Sequence, residues 1–366
     1  MEARCMKQLN AHVARHVVLA VLLVIVVLLG LFSVVLFAEE LGDAPDNYQL
    51  INIVLYVLLR VPGMVVENAG FAMLIGCLLG LGVLASQSEL TVMRASGVSV
   101  LHIVWMVIRP VLVLVVLVSL LGEFAVPRID RYANFLRAEK IEQDQVYNMI
   151  RSQHGLWMRQ DNDFLHFNHV SASGEIFGFA RLSFNDKGEL QFAQYASSAE
   201  HKADSARPGW DLKKIQTTRF SEDTVSTESV AQDAHWVSDL DPALLGVVAT
   251  EPDRMSLREL RYYINYLTGQ GQDNRIFQLV FWKKALQPLA MIGLVLVAIS
   301  FIFGPLRDTT MGYKLFTGVM LGIVFRFSQD MLGPTSLVYG IMPVVAIVFP
   351  IVLCWLLGFF LLLRTR

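Results

Sequence analysis

Arg326 and Asp330 are the residues of this sequence most able to do chemistry, because they stand one helical turn apart in an otherwise largely apolar stretch, Leu315 to Met331. Ionisable groups in such surroundings are expensive and often functional. If Leu315 opens a membrane-crossing helix, Arg326 lies about 16 Å along it at 1.5 Å per residue, near or beyond the midplane. Two readings stand. The pair is a local i,i+4 ion pair or snorkels to the interface, or Arg326 faces an internal cavity and receives an anionic group. In the second reading the guanidinium would match phosphate bidentately. Glu67 and Asn68 in one apolar stretch, and Glu123 near the end of another, are either counter-charges or interhelical hydrogen-bonding groups. Arg109, beside Pro110, and the Lys283–Lys284 pair read as snorkelling side chains.

A second constellation is polar. Ser86 to Gly97 forms a short insert between two long apolar segments. Ser88 to Met93 can make about one and a half helical turns, with Glu89 and Arg94 exposed and Ser96-Gly97 as the stop. It is either an ordinary reverse loop or a short helix on which a partner ATPase pushes through a basic residue facing Glu89.

Other chemistry is missing. There is no GxxxxGK[ST] sequence, so the chain cannot cradle ATP phosphates by a P-loop, and GxSxG, HExxH and EF-hand loops are absent as well. His166 and His169 are three apart, on opposite faces of a strand, which argues against a shared metal. Glu39-Glu40 and Asp161/Asp163 read as solvated charges in polar loops. Cys5, Cys77 and Cys354 lie in or beside apolar segments and read as small buried apolar residues, with no CxxC pattern. No metal, cofactor or catalytic role is expected of this chain.

The elements that position these residues are mostly membrane helices. Hydrophobic residues make up 54% of the chain and charged ones 17%, with a mean hydropathy of +0.50, as in polytopic membrane proteins. No basic run suggests nucleic acid. Six stretches approach the roughly 20 apolar residues that a bilayer core requires: Val17–Ala38, about Val61–Ala85, Leu101–Val126, about Phe277–Phe303, Leu315–Met331 and Tyr339–Leu363. Val17–Ala38 is uncharged, longer than a signal-peptide core, and followed by Glu39-Glu40 rather than a cleavage site, so it reads as a retained span. Arg4, Lys7, Arg15, Arg94, Arg307, Lys314, Arg364 and Arg366 collect on one side, whereas the loop from Glu39 to Arg60 holds one Arg against Glu39, Glu40, Asp43 and Asp46. Loop 332–338 is uncharged. The positive-inside rule then places both termini and the 86–98 insert in the cytoplasm and the middle region outside.

That middle region reads as β-rich. Glu189 to Tyr195 alternates with period two, and similar runs occur at Gly155–Val170, Ile176–Phe184, Trp210–Phe220 and Val230–Val237. Asn185-Asp-Lys-Gly188 and Pro208-Gly209 supply turn chemistry. An antiparallel sandwich or open roll is expected. The return is helical: Ser256-Leu-Arg-Glu259 is a capping-box pattern ahead of Leu257, Leu260, Ile264 and Leu267 on one face. The expected division is 1–127 for helices one to three with a coupling helix at about 86–98, 128–255 for the β domain, 256–275 for an amphipathic return helix and linker, and 276–366 for helices four to six.

At this point the residues carry a resemblance. Leu79-Gly-Leu-Gly82, Ser88-Glu-Leu-Thr-Val-Met-Arg-Ala-Ser-Gly97, Gly155-Leu-Trp157, Leu245-Gly-Val-Val248, Gly271-Gln-Asp273, Gln287-Pro288, Ser300-Phe-Ile-Phe-Gly-Pro-Leu-Arg307 and Leu337-Val-Tyr-Gly340 make the chain similar to the LptF/LptG (YjgP/YjgQ) lipopolysaccharide-export permease family, its LptG branch above all. The resemblance implies a six-helix half-transporter with a periplasmic jellyroll-like domain in the bacterial inner membrane. An LptF-like permease would complete it, two copies of an LptB-like ATPase would use the ATP, and lipopolysaccharide would pass to an LptC-like subunit and a periplasmic bridge. It also implies that Glu89 is the coupling-helix acid and that Arg137 is a basic position near the cavity mouth. The family commonly has basic residues at the outer end of span one, where this chain reads Val34-Val-Leu-Phe-Ala-Glu-Glu-Leu-Gly-Asp43. Arg326, Arg60 and Arg137 are expected to compensate, with Glu67 and Asp330 in the same cavity.

Three other readings compete. A lipoprotein-releasing permease shares the trans-acting ATPase but usually has four spans. A signalling protein would show a cytoplasmic output domain or stalk helix, and an intramembrane enzyme would show convergent His, Ser or acidic groups in the spans. A transport subunit fits best, with an ATPase partner because lifting a multi-acyl lipid is uphill by ~0.8 kcal/mol per buried CH₂.

Overall fold

A computed structural model describes residues 2–43, 49–134, 136–137, 156–160, 162–170, 176–185, 187–202, 209–220, 225–230, 234–237, 252–304 and 309–364. They form two compact units, Met1–Ala133 with Arg275–Arg366, and Asn134–Asn274. Gly155, Leu245 to Val248, Pro208 and Arg307 lie outside the described residues.

The first unit is helical: α1 (Glu2–Asp43), α2 (Leu50–Ser86), the short α3 (Glu89–Ala95) and α4 (Val100–Leu120). After the second unit, which contains α5 (Leu257–Gly269), follow α6 (Arg275–Phe303), α7 (Met311–Val338) and α8 (Pro343–Arg364). Among the described residues, six helices are long and apolar enough to cross a membrane. The first five run beyond the apolar stretches that nominated them. In α4 the helix passes through a π turn, Leu121–Ala125, and resumes to Asn134.

Two boundaries differ from expectation: of the loop expected from Glu39 to Arg60, residues 39–43 continue α1 and 50–60 open α2, and the other is the end of α7. Residues 332–338, expected as a loop, continue α7, and the last span begins at Pro343 rather than Tyr339. No charge interrupts that stretch, and Pro334 is tolerated as prolines are in membrane helices. The helix stops where the backbone turns left-handed at Gly340, φ +69°, with Ile341 N–H donating to Ser336 O at 2.9 Å. This is a Schellman ending.

Helices α2 and α6 form the interior of the unit: 67% and 61% of their most apolar windows are buried, against 17% for α1 and 11% for α7. Small residues set how closely they approach. Gly76 of α2 lies against the Val21 backbone of α1, and Gly80 against that of Val17. Gly318 and Gly322 of α7 receive Leu78 and Phe71 of α2, and Gly293 of α6 receives the Trp355 ring of α8. These approaches fix the helix rotations, and hence which polar side chains can meet.

Among the described residues, the second unit holds an antiparallel sheet of seven strands in the order β1-β2-β3-β4-β5-β6, with β7 also on β5. The strands are β1 (Leu156–Gln160), β2 (Asp163–Val170), β3 (Ile176–Phe184), β4 (Leu190–Lys202), β5 (Gly209–Phe220), β6 (Val225–Val230) and β7 (Ala234–Val237). The run expected over 155–170 is thus a hairpin, and that over 230–237 divides between β6 and β7. Leu165, Phe167, Phe179, Trp210 and Ile215 are buried on one face, while Trp157 and Tyr195 remain exposed on the other. The capping box forms as its residues predict: Ser256 Oγ accepts from Glu259 N–H at 3.2 Å, and Glu259 Oε2 accepts from Ser256 N–H at 2.8 Å. Helix α5 buries Leu260, Tyr263 and Leu267. Tyr266 reaches Met158 Sδ at 3.7 Å, and Gln272 donates to Arg159 O at 2.9 Å.

Candidate functional site

Arg326 and Asp330 project from α7 on one turn, as an i,i+4 pair must. Arg326 Nε donates to Asp330 Oδ2 at 3.3 Å. The other carboxylate oxygen, Oδ1, accepts from Lys283 Nζ of α6 at 3.0 Å. Lys283 does not merely snorkel: it crosses to a neighbouring helix and completes a cation–carboxylate–cation bridge. The side chains of Arg326, Asp330 and Lys283 are 57%, 45% and 43% exposed.

The bridge is seated on the backbone of α2. Arg326 Nη1 donates to Glu67 O at 3.4 Å, and Gln287 of α6 donates to Val66 O at 2.8 Å. Consecutive carbonyls of the central helix thus accept from α7 and α6. Gly122, in the π turn of α4, lies against Val66 at the same level. The Glu67 side chain itself is exposed. In an apolar helix whose surface is largely uncovered, this group forms a charged seam that is not suited to face lipid tails. Its outward donors suit an anion.

Arg60 is placed elsewhere. Its Nη1 donates to Asp130 Oδ2 at 3.1 Å, with the two side chains only 15% and 5% exposed. This buried pair clamps α2 to the helical continuation of α4, where Gly63 makes room for the carboxylate. Arg137 is half-buried and belongs to the second unit. Arg109 lies over the Trp105 ring at 5.2 Å on its own helix. The structure therefore brings Arg326, Asp330 and the Glu67 backbone together and sets Arg60 apart from them.

The insert forms α3. Leu90 and Met93 are buried in the helical core, so the element is anchored, while Thr91, Val92, Arg94 and Ala95 are exposed. It begins at Ser88 in a left-handed conformation, φ +60°, and ends at Gly97, φ +91°, where Val98 N–H donates to Met93 O at 3.1 Å. Ser96 Oγ donates to Met93 O at 2.8 Å. Glu89 Oε2 sits 2.9 Å from His12 Nε2 of α1. Helix α3 is thereby tied to the first helix as well as to the second.

Sequence reasoning reads Lys283 as a snorkelling side chain and gives no site role to Gln287, Asp130 or His12. A signal existed for the first two. Lys283 and Gln287 stand at i,i+4 in an apolar helix, a polar stripe like that of Arg326 and Asp330.

Comparison with known proteins places these features in context. Residues 11–364 match the family described as lipopolysaccharide export system permease LptF/LptG. The chain is 33% identical over 357 residues to the lipopolysaccharide export system permease protein LptG of Escherichia coli strain K12, which covers 97% of this chain and 98% of that protein. It is 29% identical over 359 residues to the protein of the same name from Haemophilus influenzae, covering 98% and 99%.

Proposed function

The chain belongs to the LptF/LptG family of lipopolysaccharide export permeases, and on that premise we propose how its seam and its short helix serve the export of a phosphorylated lipid. It is a multi-pass inner-membrane protein and a permease subunit of lipopolysaccharide export. In this reading the uncovered faces of α1 and α7 meet an LptF-like second half and enclose a cavity with it. Lys283 and Arg326 bind a phosphate of the lipid there. Arg60 and Asp130 hold α2 and α4 so that the carbonyls under the seam stay in place. The chain itself is non-catalytic; an LptB-like ATPase, two copies per transporter, hydrolyses ATP and acts on α3 through Glu89 and Arg94. Both termini and α3 lie in the cytoplasm, and the sheet unit lies in the periplasm beside an LptC-like subunit. Lipid leaves the outer leaflet of the inner membrane and passes to a periplasmic bridge.

The observation that carries the reading is the pair of half-exposed cations, Lys283 of α6 and Arg326 of α7, the second on a helix that its own chain barely covers. Solvent or a polar ligand must meet them, since hydrocarbon cannot. The test is photocrosslinking of lipopolysaccharide to the assembled transporter, wild type against Lys283→Ala/Arg326→Ala. The double variant is expected to lose most crosslinking while the complex assembles normally. Undiminished crosslinking and transport would remove the seam from the substrate path.

A further inference from the structure

Asp330 carries the further step. Each of its oxygens is held by a cation from a different helix, Lys283 Nζ at 3.0 Å and Arg326 Nε at 3.3 Å. The pair within α7 does not have the form that stabilises a helix best. Its base precedes its acid, whereas an acid N-terminal to a base is the favourable i,i+4 order. Nor is the guanidinium used at full strength. A bidentate carboxylate contact would engage two parallel N–H groups; here only Nε meets the carboxylate, while Nη1 turns to Glu67 O at 3.4 Å. Lys283 spends one donor on Asp330 and is 43% exposed. The carboxylate holds both cations loosely and leaves donors facing outward.

We propose that Asp330 is a built-in counter-ion that stands in for the substrate's phosphate: it holds Lys283 and Arg326 together while the seam is empty, yields them to the lipid phosphate, and takes them back to release it. The inference rests on the reading of the seam as a phosphate site. Half-exposed ion pairs are weak, typically below about 1 kcal/mol each, so the exchange is easy in both directions. A phosphate carries more charge and more acceptor oxygens than a carboxylate and displaces it. Without the carboxylate, two uncompensated cations would remain on neighbouring membrane helices, and a bound phosphate would leave slowly. A permease must let its cargo go, and Asp330 provides the competitor that makes it leave.

The experiment uses the complete transporter in nanodiscs and measures retention and release of bisphosphorylated lipid A and of its dephosphorylated form. Asp330→Asn is expected to retain the bisphosphorylated lipid about fivefold more tightly, equivalent to about 1 kcal/mol, and to release it more slowly. It should leave the dephosphorylated lipid unaffected, and Asp330→Glu should behave as wild type. Asp330→Ser, which also removes the charge, gives a second measurement if the Asn variant folds poorly. Inorganic phosphate, lacking acyl chains, is expected to compete only weakly. If the neutral variants retain the lipid no better than wild type, or less well, while Lys283→Ala/Arg326→Ala loses it, Asp330 merely positions the cations and the counter-ion proposal is overturned. If the double variant also binds normally, the phosphate reading of the seam fails, and this proposal falls with it.

Discussion

Replacing Gly76 with Ala tests the packing that sets every interhelical pairing described above. A Cβ at Gly76 would lie 2.5 Å from Val21 Cα and 2.8 Å from Val21 N, where ordinary contacts begin at 3.4 Å. Both atoms are backbone, so no side-chain rotation relieves the clash, and α1 must move away from α2 by about 1 Å. Overpacking of this kind costs about 1–3 kcal/mol. The separation also loosens the valine stripe Val13, Val17, Val21 and Val24, all buried. Gly30 of α1 is the control, because nothing lies within 4 Å of a Cβ built there. Ala at that position suits a helix better than Gly by up to about 1 kcal/mol. Thermal unfolding of the purified full-length protein in detergent should show a clear loss for Gly76→Ala and none for Gly30→Ala. Equal melting of Gly76→Ala and wild type, or equal losses in the two variants, would refute the close-contact argument.

Removing Asp130 should leave the Arg60 guanidinium buried and uncompensated, costing about 3–5 kcal/mol. An Arg60→Met/Asp130→Leu double variant should recover most of that stability in the same melting assay. Glu89→Arg places a cation beside His12 and on the exposed edge of α3. Stimulation of the partner ATPase by lipopolysaccharide should collapse while the purified protein melts normally; intact stimulation would remove Glu89 from the coupling contact. In the sheet unit, burial lowers the pKa of His166 from its ordinary 6.5. The folded state therefore binds that proton less readily than the unfolded chain, and stability present above pH 6.5 falls as the pH drops through the lowered value. Thermal unfolding of the sheet unit from pH 7.5 to pH 5 should show this slope, and His166→Phe should flatten it.

The membrane helices, the polar insert and the capping box were legible in the residues, because each is written in a local pattern: apolar length, a short polar interruption, Ser256 three positions before Glu259. The strands of the sheet were legible where period two persisted, and less so where turns were short. The hairpin of β1 and β2 reads as one run because Asp161 and Asn162 are only a brief interruption. The end of α7 was misplaced for the opposite reason. Gly333-Pro334 suggests a break, but in the apolar core of a bilayer a helix has no competing water to release its hydrogen bonds to.

The pairings had no such signature. Arg326 and Asp330 announced themselves by proximity in sequence, but Lys283 reaches Asp330 across a separation of 47 positions, and Arg60 reaches Asp130 across 70. A cation in an apolar helix carries the same local pattern whether it snorkels, clamps a neighbour or waits for a ligand. Which of these it does depends on the rotation and depth of its helix, and those follow from where Gly76, Gly80, Gly318 and Gly322 let neighbouring helices settle. Membrane crossing and the order of units thus follow from local chemistry along the chain. Which charged side chains pair across helices was settled by close packing between helices distant in sequence, because only that packing decides which charges come within reach of one another.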